Sequence, residues 1–311
     1  MSETLQHRAA AGDASAQGEL GGMMLVGRGV PYAPKEGLRL IEAAAERNDA
    51  TALQLLAVLT ALGLGRPYSW SDAVRLVARA ADLGDARAQG QMRLLGDPAK
   101  FDIAQWFGSA EAQQRCEAPR IMTISNFLPK PACDWIVART RPRLDVARVN
   151  NPMTGGASVE FNRSNTGAGF SVLDSDLILE LANARVAATI KLSREQQEPT
   201  NVLHYDPGQE FQPHFDFIDP AEPHFTELVR QQGQRLITAL IYLNDGFEGG
   251  ETDFPRLNWR FKGAAGDALI FWNVAASGAL EKASLHAGLP PTRGEKWIYS
   301  KWVRDRPWPL V

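Results

Sequence analysis

The sequence predicts an α+β chain in two parts: an N-terminal α-helical repeat region, then a strand-rich domain of sandwich or jelly-roll type with flanking helices. Three observations carry this. A short motif recurs twice at a 36-residue offset. From Arg120 the texture changes to short β-branched and aromatic runs separated by glycine turns. One such run, Gln212-Pro213-His214-Phe215-Asp216-Phe217, carries an imidazole and a carboxylate two residues apart.

The recurring motif is Gly12-Asp13-Ala14, then Asn48-Asp49-Ala50, then Gly84-Asp85-Ala86. Gly27-Arg28-Gly29 matches Gly63-Leu64-Gly65, and Leu38 to Ile41 matches Val74 to Val77. Each unit reads as two short helices, with alanines at close helix contacts and glycines at C-terminal turns. These units resemble Sel1-like repeats, relatives of the tetratricopeptide class, from about Ala9 to Leu95. The resemblance implies a stacked solenoid, because such units cannot bury their apolar faces alone. It offers either a concave face for a peptide or partner, or a helical buttress for the second domain. A packed helical domain without true repeats is the alternative. Gly96-Asp97-Pro98 ends the last repeat helix, and Phe101 to Glu117 reads as a connecting helix. The boundaries are therefore 1–117 and 118–311.

Composition sets bounds on function. The 311 residues suit roughly two domains with a sizeable core. A net charge of −3 makes no case for nucleic acid, and Arg139, Arg141, Arg143 and Arg148 read as a solvated face. Two cysteines, Cys116 and Cys133, have neither metal-ligand spacing nor a disulfide framework, which fits a reducing, cytoplasmic setting. No signal peptide is read at Met1 to Ala10, and no apolar run is long enough for a membrane span.

In the second part, Ile121 to Ser125 reads as a strand and Ala132 to Thr140 as a helix. Asn150 to Gly169 reads as a loop with one strand, and Asp176 to Lys191 as an amphipathic helix. Strands follow at about Asn201–Tyr205, Phe211–Phe217, Arg235–Leu243, Asp267–Trp272 and Lys296–Val303. On a strand, residues i and i+2 share a face, so His214 and Asp216 project together. A third ligand, His286, stands in Ala283 to Gly288, far along the chain. Two imidazoles and one carboxylate on one side of a metal leave other positions open. Ten residues beyond His286, Lys296 shares a strand face with Ile298, Ser300 and Trp302. A lysine there requires an anion.

These stretches resemble the prolyl 4-hydroxylase branch of the 2-oxoglutarate and Fe(II)-dependent dioxygenases, from about Pro119 to Arg304. The densest matches are Tyr205 to Asp216, Thr238 to Asn244, Gly249 to Pro255, Gly266 to Phe271, Ser284 to Gly288, and Gly294 to Trp297 with Lys301 to Arg304. The resemblance implies a double-stranded β-helix (jelly roll) and cofactors Fe(II), 2-oxoglutarate and O2, and it admits ascorbate (vitamin C). His214, Asp216 and His286 hold the metal on this reading. Lys296 binds the distal carboxylate of 2-oxoglutarate, Thr238 and Tyr242 bond the same end, and Tyr205 lies near the metal end. Arg235 and Trp302 flank the substrate, Arg235 as a donor to a peptide carbonyl and Trp302 as an aromatic wall. The plainer readings are a core tyrosine, a strand-suited threonine and a core tryptophan. His204 reads as structural, His224 as part of a surface loop and His7 as part of a disordered terminus.

The expected activity is hydroxylation of a prolyl residue in a protein or peptide, which the repeats could recruit. Decarboxylation of 2-oxoglutarate to succinate and CO2 accompanies it. The alternatives are a hydroxylase of a free amino acid or small metabolite, and a non-catalytic interaction protein. Two stretches depart from the family pattern on the substrate side: the polar Asn150 to Gly169 loop and the Pro220 to Gln234 insertion.

Overall fold

Asp13, Asp49 and Asp85 each cap a helix in the computed structural model, which describes residues 2–107, 111–146, 148–150, 157–159 and 163–308. Their carboxylates accept from the N–H of Ala16, Ala52 and Ala88 at 3.0, 2.7 and 2.8 Å. This satisfies donors that a helix start leaves open. In chain order the helices are α1 (Ser2–Ala10), α2 (Ala14–Val26), α3 (Pro34–Glu46), α4 (Ala50–Leu62), α5 (Trp70–Asp82), α6 (Ala86–Leu95), α7 (Ile103–Phe107), α8 (Lys130–Thr140), α9 (Leu177–Ile190) and α10 (Pro223–Gln232). Gly27 and Gly63 end α2 and α4 at φ 65° and 69°, the left-handed region that a Cβ disfavours. A Cβ at Gly21 would stand 2.6 Å from the Gly37 carbonyl, so α2 and α3 touch through bare backbone.

Two compact units form. One takes in 2–106 and Phe170–Ala184, the other Phe107–Gly169 and 185–308. Within the first, α6 receives the start of α9. Gln91 accepts from Leu177 N at 2.9 Å and donates to Gln54 at 3.0 Å, while Arg87 donates to the Ser175 carbonyl. Asp176 caps α9, its Oδ1 accepting from Ile178 N and Leu179 N, both at 3.1 Å.

The second unit is built on strands. They are β1 (Ala112–Glu117), β2 (Arg120–Ile124), β3 (Asp145–Val146), β4 (Arg148–Asn150), β5 (Ala157–Val159), β6 (Thr166–Phe170), β7 (Thr200–Tyr205), β8 (Phe211–His214), β9 (Arg235–Tyr242), β10 (Glu248–Gly249), β11 (Thr252–Phe254), β12 (Trp259–Phe261), β13 (Ala268–Trp272), β14 (His286–Gly288), β15 (Pro291–Arg293) and β16 (Lys296–Arg304). An eight-stranded sheet runs β1-β2-β13-β9-β16-β7-β6-β3, and a four-stranded sheet runs β12-β11-β14-β8. In the large sheet the pairings from β1 to β7 and that of β6 with β3 are antiparallel, as are those of the small sheet. Leu240, Leu269, Phe271 and Ile298 of the large sheet pack with Phe254 of the small one in a shared core. Each such side chain contributes roughly 1.5–3 kcal/mol by leaving water.

Five expectations need correction. The connecting helix stops at Phe107, and Ala112–Glu117 is strand β1, paired with β2 from Ala112↔Ile124 to Glu117↔Arg120. Hairpin pairing there overrides a helix-compatible composition. The strand at Phe211 ends at His214, and Asp216 lies in the bend beyond it. The Pro220 to Gln234 stretch, with His224, is largely helix α10, because Pro223 suits the first helical turn. His7 belongs to α1. The Asn150 to Gly169 loop carries β5 and β6, and its residues 151–156 and 160–162 lie outside the described residues.

Candidate metal centre and active-site cavity

The antiparallel pairing of β8 with β14 puts His214 directly opposite His286. Their rings stand 4.3 Å apart, centroid to centroid. Each ring donates Nδ1–H to a carbonyl two residues back, His214 to Gln212 at 2.8 Å and His286 to Ser284 at 3.0 Å. A carbonyl can only accept, so both Nδ1 atoms carry a proton, and in the neutral ring Nε2 then keeps the lone pair. Those Nε2 atoms face the Asp216 carboxylate at 3.7 and 3.5 Å. The three ligand atoms lie within 4.8 Å of one another, the single such cluster among the described residues.

Electrostatics keep this trio ready for a cation. Burial, then the facing His286 ring, push the His214 imidazole well below its usual value, so it stays neutral. Burial alone would raise the Asp216 carboxyl, but His286, His214, Arg235 and the Thr238 hydroxyl hold it below the ordinary carboxylate range. A carboxylate between two imidazoles is the donor set of an open divalent-metal site.

The trio opens on a cavity of about 1170 Å³ lined by both sheets, with Tyr205, Lys296, Ile298 and Trp302 on the large-sheet side. Lys296 is 1% exposed, and among the described residues no carboxylate lies within ion-pair distance of its Nζ. The Tyr205 ring is 4.9 Å from that Nζ. Burial pushes the ammonium down to about 7, with only Glu251 acting to raise it. Burial likewise pushes the Tyr205 hydroxyl up to about 12.

Other expected residues sit elsewhere. Neither Thr238 nor Tyr242 lines the cavity. Thr238 donates to Asp216 Oδ2 at 2.6 Å, at the metal end. Tyr242 donates to the Phe261 carbonyl at 2.9 Å and shares a 2.8 Å bond with Thr252. Both hydroxyls bond protein atoms in this structure. Arg235 lines the cavity, yet its guanidinium is paired with Glu198 at 2.7 and 3.1 Å and lies 3.6 Å over the Trp302 ring. It braces the tryptophan. His204 is held by Thr166 at 2.9 Å and Glu295 at 3.1 Å, turned away from the cavity.

Sequence reasoning missed three participants. Glu198 grips both Arg235 and Arg304, each at 2.7 Å, across long sequence separations that leave no local signal. Asn273 bonds Thr238. Helix α10 contributes Phe225 and Leu228 to the cavity, and their i, i+3 spacing was a readable sign.

Comparisons with known proteins place the chain among the following relatives. A family described as the 2OG-Fe(II) oxygenase superfamily matches residues 200–304. The chain is 32% identical over 205 residues to a probable prolyl 4-hydroxylase 3 of Arabidopsis thaliana, spanning 60% of this chain and 69% of that protein. It is similar to the viral collagen prolyl hydroxylase of Paramecium Bursaria Chlorella virus-1, solved with 2OG, at 26% identity and TM-score 0.47, over 61% of this chain and 98% of that one. A Sel1 repeat protein from Oxalobacter formigenes is similar at 31% identity and TM-score 0.28, over 30% of this chain and 71% of that one.

Proposed function

The chain belongs to the 2OG-Fe(II) oxygenase superfamily, on its prolyl 4-hydroxylase branch, and on that premise we propose that it hydroxylates a prolyl residue held in a protein or peptide. It is an enzyme that uses Fe(II), 2-oxoglutarate and O2. Together these supply the oxidising power to place a hydroxyl group on a C–H bond, with 2-oxoglutarate leaving as succinate and CO2.

The observation that carries the reading is the pairing of two unfulfilled demands across one cavity. His214, Asp216 and His286 present lone pairs and negative charge to a cation. Lys296 presents a buried ammonium that lacks an anion among the described residues. A dicarboxylate reaching from the metal to Lys296 answers both. Lys296 then fixes the far carboxylate by a charge-assisted bond, Tyr205 shapes the near end, and the apolar walls at Phe217 and Ile298 exclude water. On the substrate side, the Trp302 face braced by Arg235 offers a flat apolar wall that suits a pyrrolidine ring. Helix α10 narrows the same opening with Phe225 and Leu228.

The remaining parts of the proposal concern architecture. The two facing sheets are read as the walls of a double-stranded β-helix, and the 36-residue units as Sel1-like repeats. No helix among the described residues is long and apolar enough to cross a membrane. With Cys116 and Cys133 both free, a cytoplasmic setting fits.

The test is succinate release by the full chain with Fe(II), using peptide pairs that differ only by proline or alanine, with intact mass on each. The expected result is proline-dependent succinate release and one added oxygen per peptide. Oxygen gain by free amino acids or small metabolites, with none on any peptide, overturns the prolyl-peptide reading.

A further inference from the structure

Asp216 is the one metal-facing ligand that no strand holds, since β8 ends at His214. Its orientation therefore depends on side-chain contacts. Thr238 donates to its Oδ2 at 2.6 Å, and Asn273 Nδ2 lies 2.9 Å from the Thr238 hydroxyl oxygen. All three side chains are buried, Thr238 and Asn273 at 0% exposure.

Proton counting forces the direction of this chain. A carboxylate accepts only, and a hydroxyl has a single proton to give. Thr238 spends it on Asp216, so Asn273 must present its NH2 group to Thr238. The same counting fixes the amide's orientation and explains why Asn273 Oδ1 is left buried without a hydrogen-bond partner. The fold tolerates an orphaned carbonyl to keep the donor in place. The scaffold behind it is firm. Phe271 of β13 stands opposite Thr238 of β9, and Asn273 follows just past the end of β13. Its own backbone is tied at both ends, N–H to the Leu236 carbonyl at 2.8 Å and C=O to Glu281 N–H at 2.9 Å.

We propose that Asn273 is a positioning residue for the metal site: acting through Thr238, it commits Asp216 Oδ2 to protein and holds Oδ1 toward the metal. The inference rests on the metal-site reading above. Neither Thr238 nor Asn273 lines the cavity, so both reach the site only through Asp216.

The experiment uses the full chain and Mn(II) as the probe, with calorimetric affinity and the melting temperature of the metal-free protein as readouts. In Asn273→Leu, a near-isosteric change, the orphaned carbonyl disappears together with the donor. The melting temperature should hold or rise, while Mn(II) affinity falls by about tenfold, the lower end of what outer-shell partners of metal ligands contribute. These opposite signs separate positioning from a structural role. Thr238→Val should lose at least as much, and Thr238→Ser should recover most of that loss. The double variant Thr238→Val/Asn273→Leu should bind no more weakly than Thr238→Val, because Asn273 acts through the hydroxyl.

Unchanged Mn(II) affinity in Asn273→Leu overturns the proposal. So do losses that add in the double variant, or a fall in melting temperature without a fall in affinity. Asn273→Ala, read the same way, serves if the leucine does not fit. If the unaltered protein itself binds no Mn(II), the metal-site reading fails instead, and the two failures are distinct.

Discussion

Gln54, Gln91, Asp176 and Glu180 in the first unit are as deeply buried as Tyr205 and Lys296 in the second, all at 6% exposure or less. The first group is bonded inward: Gln54 to Gln91, Gln91 to Leu177 N, Asp176 to the start of α9, Glu180 to Ser175 and Asn183. The second group faces a cavity, and Lys296 has no anionic partner among the described residues. Buried polar groups are costly unless paired. In one unit the chain itself supplies the partners, which makes the network a structural lock. In the other the groups face an open cavity, which is what the proposed binding site requires.

The contrast can be broken most sharply at Asp216. Asp216→Ala should reduce 2-oxoglutarate turnover to background, since it removes the only charged metal ligand. The metal-free protein should melt at nearly the same temperature. Succinate assays and thermal melts check both, and surviving turnover would show that the metal is held elsewhere.

Removing the other partner set should damage the fold instead. A fragment starting at Ala118 lacks Gln54, Arg87 and Gln91, and leaves Leu177 N and the Ser175 carbonyl without them. Each buried group so orphaned costs about 1–3 kcal/mol. We expect the fragment to be insoluble or to lack a cooperative melt. A fragment that folds and still decarboxylates 2-oxoglutarate would make the helical region a recruiting module rather than a buttress.

Lys296→Ala tests the binding side. Truncating one partner of a buried charge pair costs roughly 2–5 kcal/mol, so 2-oxoglutarate affinity should fall by roughly ten- to several-hundred-fold. Titration with Mn(II) under nitrogen reads this directly. Lys296→Arg should restore only part of it, because the guanidinium is planar and longer.

A smaller effect sharpens the same point. Free Lys296 titrates near 7, and a bound carboxylate favours its charged form. At about pH 8.5 the free lysine is mostly neutral, so 2-oxoglutarate binding should take up close to one proton. Below about pH 6 it is already charged and the uptake should vanish. Calorimetry in buffers of different ionisation enthalpy measures the uptake. Binding without uptake at the higher pH would mean that Lys296 is charged before the ligand arrives.

How much of this was legible beforehand follows the range of the forces involved. The aspartate caps and left-handed glycines of the repeat are set by residues within one turn, so a 36-residue period could be read directly from the letters. The ligand trio was legible because residue type constrains metal chemistry, although the strand argument for Asp216 was not the operative one. Asp216 lies past the end of β8 and is oriented by Thr238. Tyr242 and Thr238 could not be placed from their shared strand face, since what each hydroxyl bonds comes from β8, β11, β12 and β13 or their flanks.

By itself the sequence determined most element types, the 36-residue helical period and the candidate trio of metal ligands, and it singled out Lys296 as a buried cation. Those are properties of residue chemistry and of short spacings along one chain. Tertiary structure alone decided that His214 faces His286 across a β-ladder, that Arg235 is spent on Glu198 and Trp302, and that Phe170–Ala184 joins the repeat unit. The reason is physical: a hydrogen bond or ion pair is chosen by which groups end up within about 3 Å of each other, and chain folding sets that proximity over separations no local pattern encodes.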